Sequence, residues 1–322
     1  MNDNNLEILV EAVQGDRKRV FARYGQKPSK ALGERTIRWI LRILGGTTVA
    51  ITGLIIYILV SDAYGFFQEV SFIDFITGTQ WEPFGHDKKF GVLPLLSGTL
   101  MIAFGASAVA IPFGLGTAIY LTQYSPSWFR EIATPVVEIL GGIPTVVYGY
   151  FALVTVTPIL KTLFGEDTVQ VFNAMSASIV VGISILPMVS SMSSDSLRVV
   201  PVTIKNAGYA LGMSRFHVVT KIIIPAAVSG IVASFILAFA RAVGETMAVT
   251  LAAGATPTTT WDYLQGIQTM TAFIVQISLG DASAGSIEYF TRYAIGLTLF
   301  VLTFGFNFMA TRIVRRFREV YQ

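Results

Sequence analysis

Six apolar stretches, each long enough to cross a lipid bilayer, constrain this chain more than any other feature of its sequence. An α-helix needs about 20 predominantly apolar residues to cross the hydrocarbon core. Charged residues make up only 13% of the 322-residue chain, which is too few to cover a soluble core of this size. The sequence therefore predicts an all-α membrane protein with six transmembrane helices, at 39–60, 92–121, 135–160, 171–192, 226–253 and 293–311.

The remaining segments are polar or short. Residues 1–38 form a basic N-terminal arm, which we interpret as a solvated tail rather than a docking element. The first apolar stretch ends without a small-residue cleavage signal and is predicted to be a retained helix. The apolar piece 270–279 is too short to cross and is predicted to be a surface or re-entrant helix.

Aromatic residues mark the loop at 61–91, which lies between the first two predicted spans. Their presence indicates that the loop either is anchored at the membrane interface or packs into a cap. They are Phe66, Phe67, Phe72, Phe75 and Trp81.

Lysine and arginine are distributed unevenly between the two sides of a six-span topology. One side holds 18 of the 23 basic residues: the arm with Arg42, Arg130, the long loop 195–225 and the tail 312–322. The other side holds four, and Arg241 lies within the fifth span. Because cytoplasmic segments are enriched in lysine and arginine, both termini and the 195–225 loop are predicted to be cytoplasmic. The 61–91 loop is then periplasmic, and 92–311 forms the main transmembrane domain.

Several classes of function lack the residues that they need. The chain has no cysteine and two histidines, so a disulfide framework, a thiolate metal site and a multi-histidine site are excluded. We find no G-x-x-x-x-G-K-[ST] run and no hydrolase or metalloprotease signature, which argues against a catalytic chain and against ATP binding through a P-loop. The basic residues flank apolar spans, which does not favour nucleic-acid binding.

The long loop carries a spaced pattern of small residues. Asn206, Ala207 and Gly208 are followed by Gly212, then by nine residues, and then by Ile222, Ile224 and Pro225. This spacing resembles the loop signature of ATP-binding-cassette (ABC) importer permeases, with Asn206, Gly208 and Ile224 departing from the usual identities. In that family the loop contains a short helix that docks on an ATPase subunit, and small residues let the partner approach its backbone. The resemblance assigns ATPase coupling to Lys205, Asn206, Ala207, Gly208, Gly212 and Pro225; the alternative is an ordinary interhelical loop.

A second group of charges lies inside the fifth span, within the run ARAVGETMAV at 240–249. Arg241 and Glu245 are four residues apart, so on one continuous helix they would share a face and could pair. Charges at membrane depth are costly and often mark a transport path. A planar guanidinium suits a tetrahedral oxyanion, and Glu245 would partner the unloaded cation. A purely structural ion pair is the alternative, and Glu138, near the start of the third span, is a weaker candidate.

Four runs identify a more specific resemblance, which extends from about residue 73 to the C-terminus. They are FGVLPLLSGTL at 90–100, IPFGLGTAIYLTQYSP at 111–126, GGIPTVVYGYF at 141–151 and ARAVGETMAV at 240–249. They resemble the C-type permease subunits of bacterial high-affinity phosphate importers (the PstC family). The resemblance implies a type I ABC importer permease fold in the bacterial inner membrane. It also implies roles for Arg241 and Glu245 in phosphate transport.

The same resemblance implies partners. They are an A-type permease that completes a heterodimer, two ATPase subunits that use ATP and Mg²⁺, and an external phosphate-binding protein; this chain itself is expected to bind no cofactor. The leading hypothesis is therefore a non-catalytic permease subunit of an ATP-driven phosphate importer. Permeases for sulfate or molybdate remain open, because an arginine does not by itself distinguish among oxyanions. A secondary transporter driven by an ion gradient is the alternative from another class.

Overall fold

The computed structural model describes residues 28–283 and 285–317, and the chain is helical with one short hairpin. The helices are α1 Pro28–Glu69, α2 Phe72–Thr77, α3 Leu93–Ile119, α4 Ser127–Gly142, α5 Thr145–Phe151, α6 Thr157–Phe164, α7 Ala174–Val199, α8 Val202–Ala210, α9 Arg215–Val218, α10 Ile224–Val243, α11 Met247–Ala252, α12 Met270–Gln276 and α13 Ile287–Phe317. Strands β1 Trp81–Glu82 and β2 Lys89–Phe90 pair antiparallel. Single π-helical turns at Tyr120–Tyr124, Ala152–Val156, Val219–Ile223 and Ile277–Asp281 extend or join these helices.

Six helical segments are long and apolar enough to cross a bilayer, which confirms the predicted number of spans. In chain order, spans one to six are Glu34–Glu69, Leu93–Tyr124, Thr145–Phe164, Ala174–Val199, Arg215–Val243 and Ile287–Ile313. Helix α1 begins at Pro28, so residues 28–38 of the predicted arm are helical. The rest of the arm, 1–27, and residues 318–322 of the tail lie outside the described part of the chain.

The third span begins ten residues later than the sequence predicted. Residues 135–142 belong to α4, a separate helix with no buried side chain. Ile143 and Pro144 have extended ψ angles of 130° and 133°, because a proline disfavours helical geometry at the residue before it. Across this break, the Tyr148 hydroxyl donates a hydrogen bond of 2.7 Å to the Leu140 carbonyl. Glu138 therefore lies on α4 and not on the third span.

The chain divides into two units, residues 1–58 and 59–322. In the described part of the first unit the apolar side chains are exposed, as suits a lipid environment. The core of the second unit lies where α3, α7 and α10 pack together. Many of its buried residues are small, among them Ala103, Ala106, Ala177 and Ala238. Small residues let helix backbones approach closely, which is how membrane helices gain packing energy.

A second apolar cluster covers one end of the second unit. Phe66 and Phe75 make an edge-to-face contact at 5.6 Å, and Trp81 meets Phe273 of α12 at 4.8 Å between ring centroids. The packed-cap interpretation of the aromatic loop is therefore confirmed for these residues. Lys88 joins this cap to α13 through an ion pair of 2.5 Å with Glu288. Because Met270, Thr271, Ala272 and Phe273 are buried, α12 is an interior segment and the surface-helix alternative is wrong.

Candidate functional site

The ARAVGETMAV run does not form one helix. Helix α10 ends at Val243, Gly244 adopts φ −88° and ψ 0°, and α11 begins only at Met247. Arg241 is therefore in the last turn of one helix, while Glu245 lies in the break that follows it. The predicted pairing of Arg241 with Glu245 is wrong. Within the described part of the chain, the salt bridge that does form is Lys88 with Glu288.

Arg241 is exposed at the end of α10. Its guanidinium has no hydrogen-bond or salt-bridge partner among residues 28–283 and 285–317. A cation in the last turn is favourable because it faces the partial negative charge of the helix C-terminus. The five donors of Arg241 are thus available to an anion outside the chain.

Glu245 is buried, with 8% of its surface exposed, and it organises the break. Its carboxylate oxygen Oε1 accepts a 3.5 Å hydrogen bond from the Ala248 amide in the first turn of α11. Its backbone carbonyl accepts a 2.7 Å hydrogen bond from the Thr271 hydroxyl of α12. Glu245 therefore links the helix break to the start of α11 and to α12.

The start of α12 is itself held in place by threonines that the sequence analysis missed. Thr269 caps α12 by accepting a 3.2 Å hydrogen bond from the Ala272 amide, and its hydroxyl oxygen lies 3.1 Å from that of Thr271. Thr99 of α3 accepts a 3.0 Å hydrogen bond from the Met270 amide. A threonine just before an apolar run is an N-cap signal that could have identified Thr269. No local pattern marks Thr271 or Thr99.

A glycine lets this segment lie against the second span. A Cβ atom built on Gly98 would lie 2.4 Å from the Gln268 carbonyl oxygen. Any larger residue at position 98 would push the 266–272 backbone away from α3.

Glu138 lies apart from this break. It lines a small cavity between α4 and α7 together with Ser190, Ser194, Asp195 and Arg198.

The predicted short helix of the long loop is α8, followed by a turn and by the helical start of the fifth span. Lys205 is half-buried on α8, and burial lowers the pKa of its ammonium group. Asn206 and Ala207 are exposed. Gly212 forms the turn after α8 with φ +76°, a left-handed conformation that favours glycine. Pro225 is exposed and lies inside the continuous helical segment Arg215–Val243, directly after the π-helical turn Val219–Ile223.

Gly208 faces inward, which corrects the predicted reason for its small size. A Cβ on Gly208 would lie 2.6 Å from Cδ1 of Ile222 and 3.2 Å from Cγ2 of Val218. The glycine thus lets α8 pack against the start of the fifth span. Gly208 is buried within this chain.

Two arginines donate to carbonyls at the end of the second span, Arg215 from the start of the fifth span and Arg130 from α4. Arg215 donates to the Gln123 carbonyl, and its guanidinium lies 5.1 Å from the ring centroid of Tyr124. Arg130 donates to the Leu121 carbonyl at 2.7 Å and to the Ser125 carbonyl at 3.2 Å. These donors satisfy carbonyls that a helix C-terminus otherwise leaves unpaired.

The outer surface of the α8 region is apolar, and the described residues leave it exposed. Val202, Leu211 and Phe216 are 65%, 83% and 63% exposed. Exposed apolar patches with a charged rim are typical of protein–protein interfaces.

Comparison with known proteins gives concordant results. The family model for the binding-protein-dependent transport system inner membrane component matches residues 110–319. A probable ABC transporter permease protein, YqgH of Bacillus subtilis, is 31% identical over 89% of this chain and 91% of its own length. The phosphate transport system permease protein PstC of Mesorhizobium japonicum is 30% identical over 71% of this chain and 74% of its own.

The fold also matches a solved transporter. A chain of the inward-facing MetNI methionine ABC transporter superposes with a TM-score of 0.55 at 18% identity, covering 71% of this chain and 96% of that one. The likeness shows the type I ABC importer permease fold. The chain belongs to the binding-protein-dependent transport system inner membrane component family, the permease subunits of ABC importers.

Proposed function

We propose that this ABC importer permease carries inorganic phosphate, and that Arg241 contacts the anion during its passage. The observation that carries the proposal is the exposed guanidinium of Arg241 in the last turn of the fifth span, next to the helix break and without a carboxylate partner in the described chain. A guanidinium offers paired N–H donors that match two oxygens of a tetrahedral oxyanion. The relatives named as phosphate transport permeases favour phosphate among the oxyanions.

We further propose that α8 and the surrounding apolar surface dock on an ATPase subunit. The apolar surface of the α8 region is exposed, and Arg215, which follows α8 in the chain, is bonded to the end of the second span. A displacement of α8 would therefore be transmitted to the second span. The positive-inside count supports a cytoplasmic position for this surface and for both termini, because 18 of the 23 basic residues then lie on the cytoplasmic side. The membrane would be the bacterial inner membrane.

The complete importer in this proposal contains four further parts. An A-type permease supplies the other half of the pathway, two ATPase subunits use ATP and Mg²⁺, and an external binding protein delivers phosphate. Binding energy from ATP closes the ATPase pair, and α8 transmits the closure to the spans around the pathway. This chain contributes the pathway surface and the docking helix.

Uptake of [³²P]orthophosphate by vesicles that contain the whole transporter tests the proposal. Arg241→Gln should abolish uptake while the subunits still co-purify, and Arg241→Lys should retain part of it because a charge remains. Arg312→Gln, which removes an exposed arginine near the C-terminus, is the matched control and should transport normally. Normal uptake by Arg241→Gln would remove Arg241 from the pathway.

The same vesicles test the substrate and the energy source. Excess unlabelled sulfate or molybdate should leave uptake unchanged, and competition by either would assign another oxyanion. Uptake should require ATP inside and survive an ionophore. Uptake that stops with the ionophore and needs no ATP would instead identify a secondary transporter.

A further inference from the structure

A hydrogen bond from a distant segment holds the break that follows the fifth span, at residues 244–246. Thr271 donates its hydroxyl to the Glu245 carbonyl at 2.7 Å, and 26 residues separate the two in the chain. Thr271 is 4% exposed and Glu245 8%. Because both groups are buried, water cannot replace this bond, and its loss would leave the Glu245 carbonyl without a partner.

Hydrogen bonds at the start of α12 hold the Thr271 hydroxyl in position. The Thr271 hydroxyl also lies 3.1 Å from that of Thr269, which caps α12 through the Ala272 amide. The Met270 amide between these threonines donates to Thr99 of the second span. The start of α12 is therefore anchored to α3, and it acts as a fixed support for the break.

The residue that provides the acceptor, Glu245, also closes the last turn of α10. The Glu245 amide donates to the Ala242 carbonyl at 3.2 Å, and the Gly244 amide donates to Ala240 at 3.3 Å. Arg241 lies between these two carbonyls in the sequence, in the last turn that they close. A shift of the Glu245 backbone would therefore change the hydrogen bonds that close that turn and, with them, the position of the Arg241 side chain.

We propose that Thr271 is a positioning residue for the anion path, which acts through Glu245 to hold the Arg241 turn. This inference rests on the proposed role of Arg241 in phosphate passage. Thr271 does not contact the anion in this scheme. It determines the geometry of the break from which Arg241 projects.

Thr271→Val tests the inference, because valine keeps the shape of threonine and removes the donor. In the intact transporter we expect the apparent KM for [³²P]orthophosphate to rise about fivefold, the factor that one ordinary hydrogen bond represents. Hydrogen–deuterium exchange of the purified transporter should be faster in the peptide that covers 245–253. Thr271→Ser, which restores the hydroxyl, should bring both measurements back towards the wild type.

Thr298→Val is the matched control. Thr298 is half-buried in the sixth span and its hydroxyl bonds to the Ala294 carbonyl of its own helix at 2.8 Å, so both readouts should stay unchanged. If Thr271→Val does not assemble, Thr271→Ala carries the same two measurements.

The outcomes separate this inference from the proposed function. Unchanged exchange in 245–253 would show that Thr271 does not hold the break, and faster exchange with an unchanged KM would show that the break does not position the anion path. Either result overturns the inference. Failure of the proposed function appears instead as normal phosphate uptake by Arg241→Gln.

Discussion

Gly208 and Ile222 are in such close contact that a Cβ on the glycine would lie 2.6 Å from Cδ1 of the isoleucine. The contact joins α8 to the helical start of the fifth span across the turn at Gly212. Beneath it lies an apolar cluster that includes Leu197, Val218 and Ile223. Helix α8 is therefore part of a packed unit with the start of the fifth span, so a displacement of α8 would be transmitted to that span.

Gly208→Val should loosen this unit. The added side chain overpacks the contact with Ile222 and Val218, and we expect a loss of about 1–3 kcal/mol in the free energy of unfolding. Thermal unfolding of the purified chain in detergent measures it. Ala207→Val is the control, since Ala207 is exposed on the same helix, and it should cost clearly less. Equal losses at the two positions would contradict the packing role of Gly208.

Arg215→Gln should uncouple ATP hydrolysis from transport. The variant loses the stacking on Tyr124 and the charged bond to the Gln123 carbonyl, so movement of α8 would no longer carry the end of the second span with it. We expect more ATP hydrolysed per phosphate imported in proteoliposomes. Lys221→Gln removes an exposed charge from the same region and should keep the wild-type ratio. An unchanged ratio in Arg215→Gln would argue against this link.

Arg241→Gln and Glu245→Gln should act independently on stability. The helix break separates the two side chains, so a double-mutant cycle should show a coupling energy within about 0.5 kcal/mol of zero, as for sites without shared partners. Urea unfolding of the purified chain provides the four free energies. A coupling above about 1 kcal/mol would restore the direct ion pair.

The Lys88–Glu288 pair should stabilise the aromatic cap modestly. The lysine side chain is 46% exposed and the glutamate 15%, so solvent screens the pair. A cycle of Lys88→Ala and Glu288→Ala should give a coupling of about 0.2–1 kcal/mol that weakens with salt. The charge-exchanged double variant Lys88→Glu/Glu288→Lys should recover stability relative to either single reversal. Failure to recover would show that the geometry of the pair matters more than its charges.

Lys205 should make stability depend on pH at alkaline values. Burial lowers the pKa of its ammonium group in the folded chain, so the unfolded chain binds more protons between the folded and the unfolded pKa. Stability should therefore rise as pH increases through that interval. Lys205→Met avoids burial of a charge, so it should be more stable than the wild type at neutral pH and lose this advantage as the pH approaches the ordinary pKa of lysine. Melting curves of both proteins across this range measure the difference; a constant difference would contradict the burial effect.

The candidate site was only partly predictable from the sequence. The positions of Arg241 and Glu245 were evident because charges are rare in apolar spans, but their pairing assumed a helix that Gly244 interrupts. The short helix α8 was expected from the resemblance of the loop pattern to ABC importer permeases, whereas the left-handed turn at Gly212 and the inward orientation of Gly208 were not. The inward orientation could not be predicted because Gly208 must be small to pack against Ile222, and the sequence does not show that these two residues are in contact.

The sequence by itself determined the number of membrane spans and the class of the protein. A span is recognised from about 20 consecutive apolar residues, which must match the thickness of the bilayer whatever the distant contacts are. It also carried the spaced loop pattern that the family shares. Only the tertiary structure decided that the third span begins at Thr145, that Arg241 and Glu245 are separated, and that Thr271 supports the break between them. Pro144 and Gly244 mark the two helix breaks locally, but prolines and glycines are also tolerated inside membrane helices, so whether a break forms depends on the surrounding packing. The bond from Thr271 joins segments that are far apart in the chain, and no local pattern of residues encodes it.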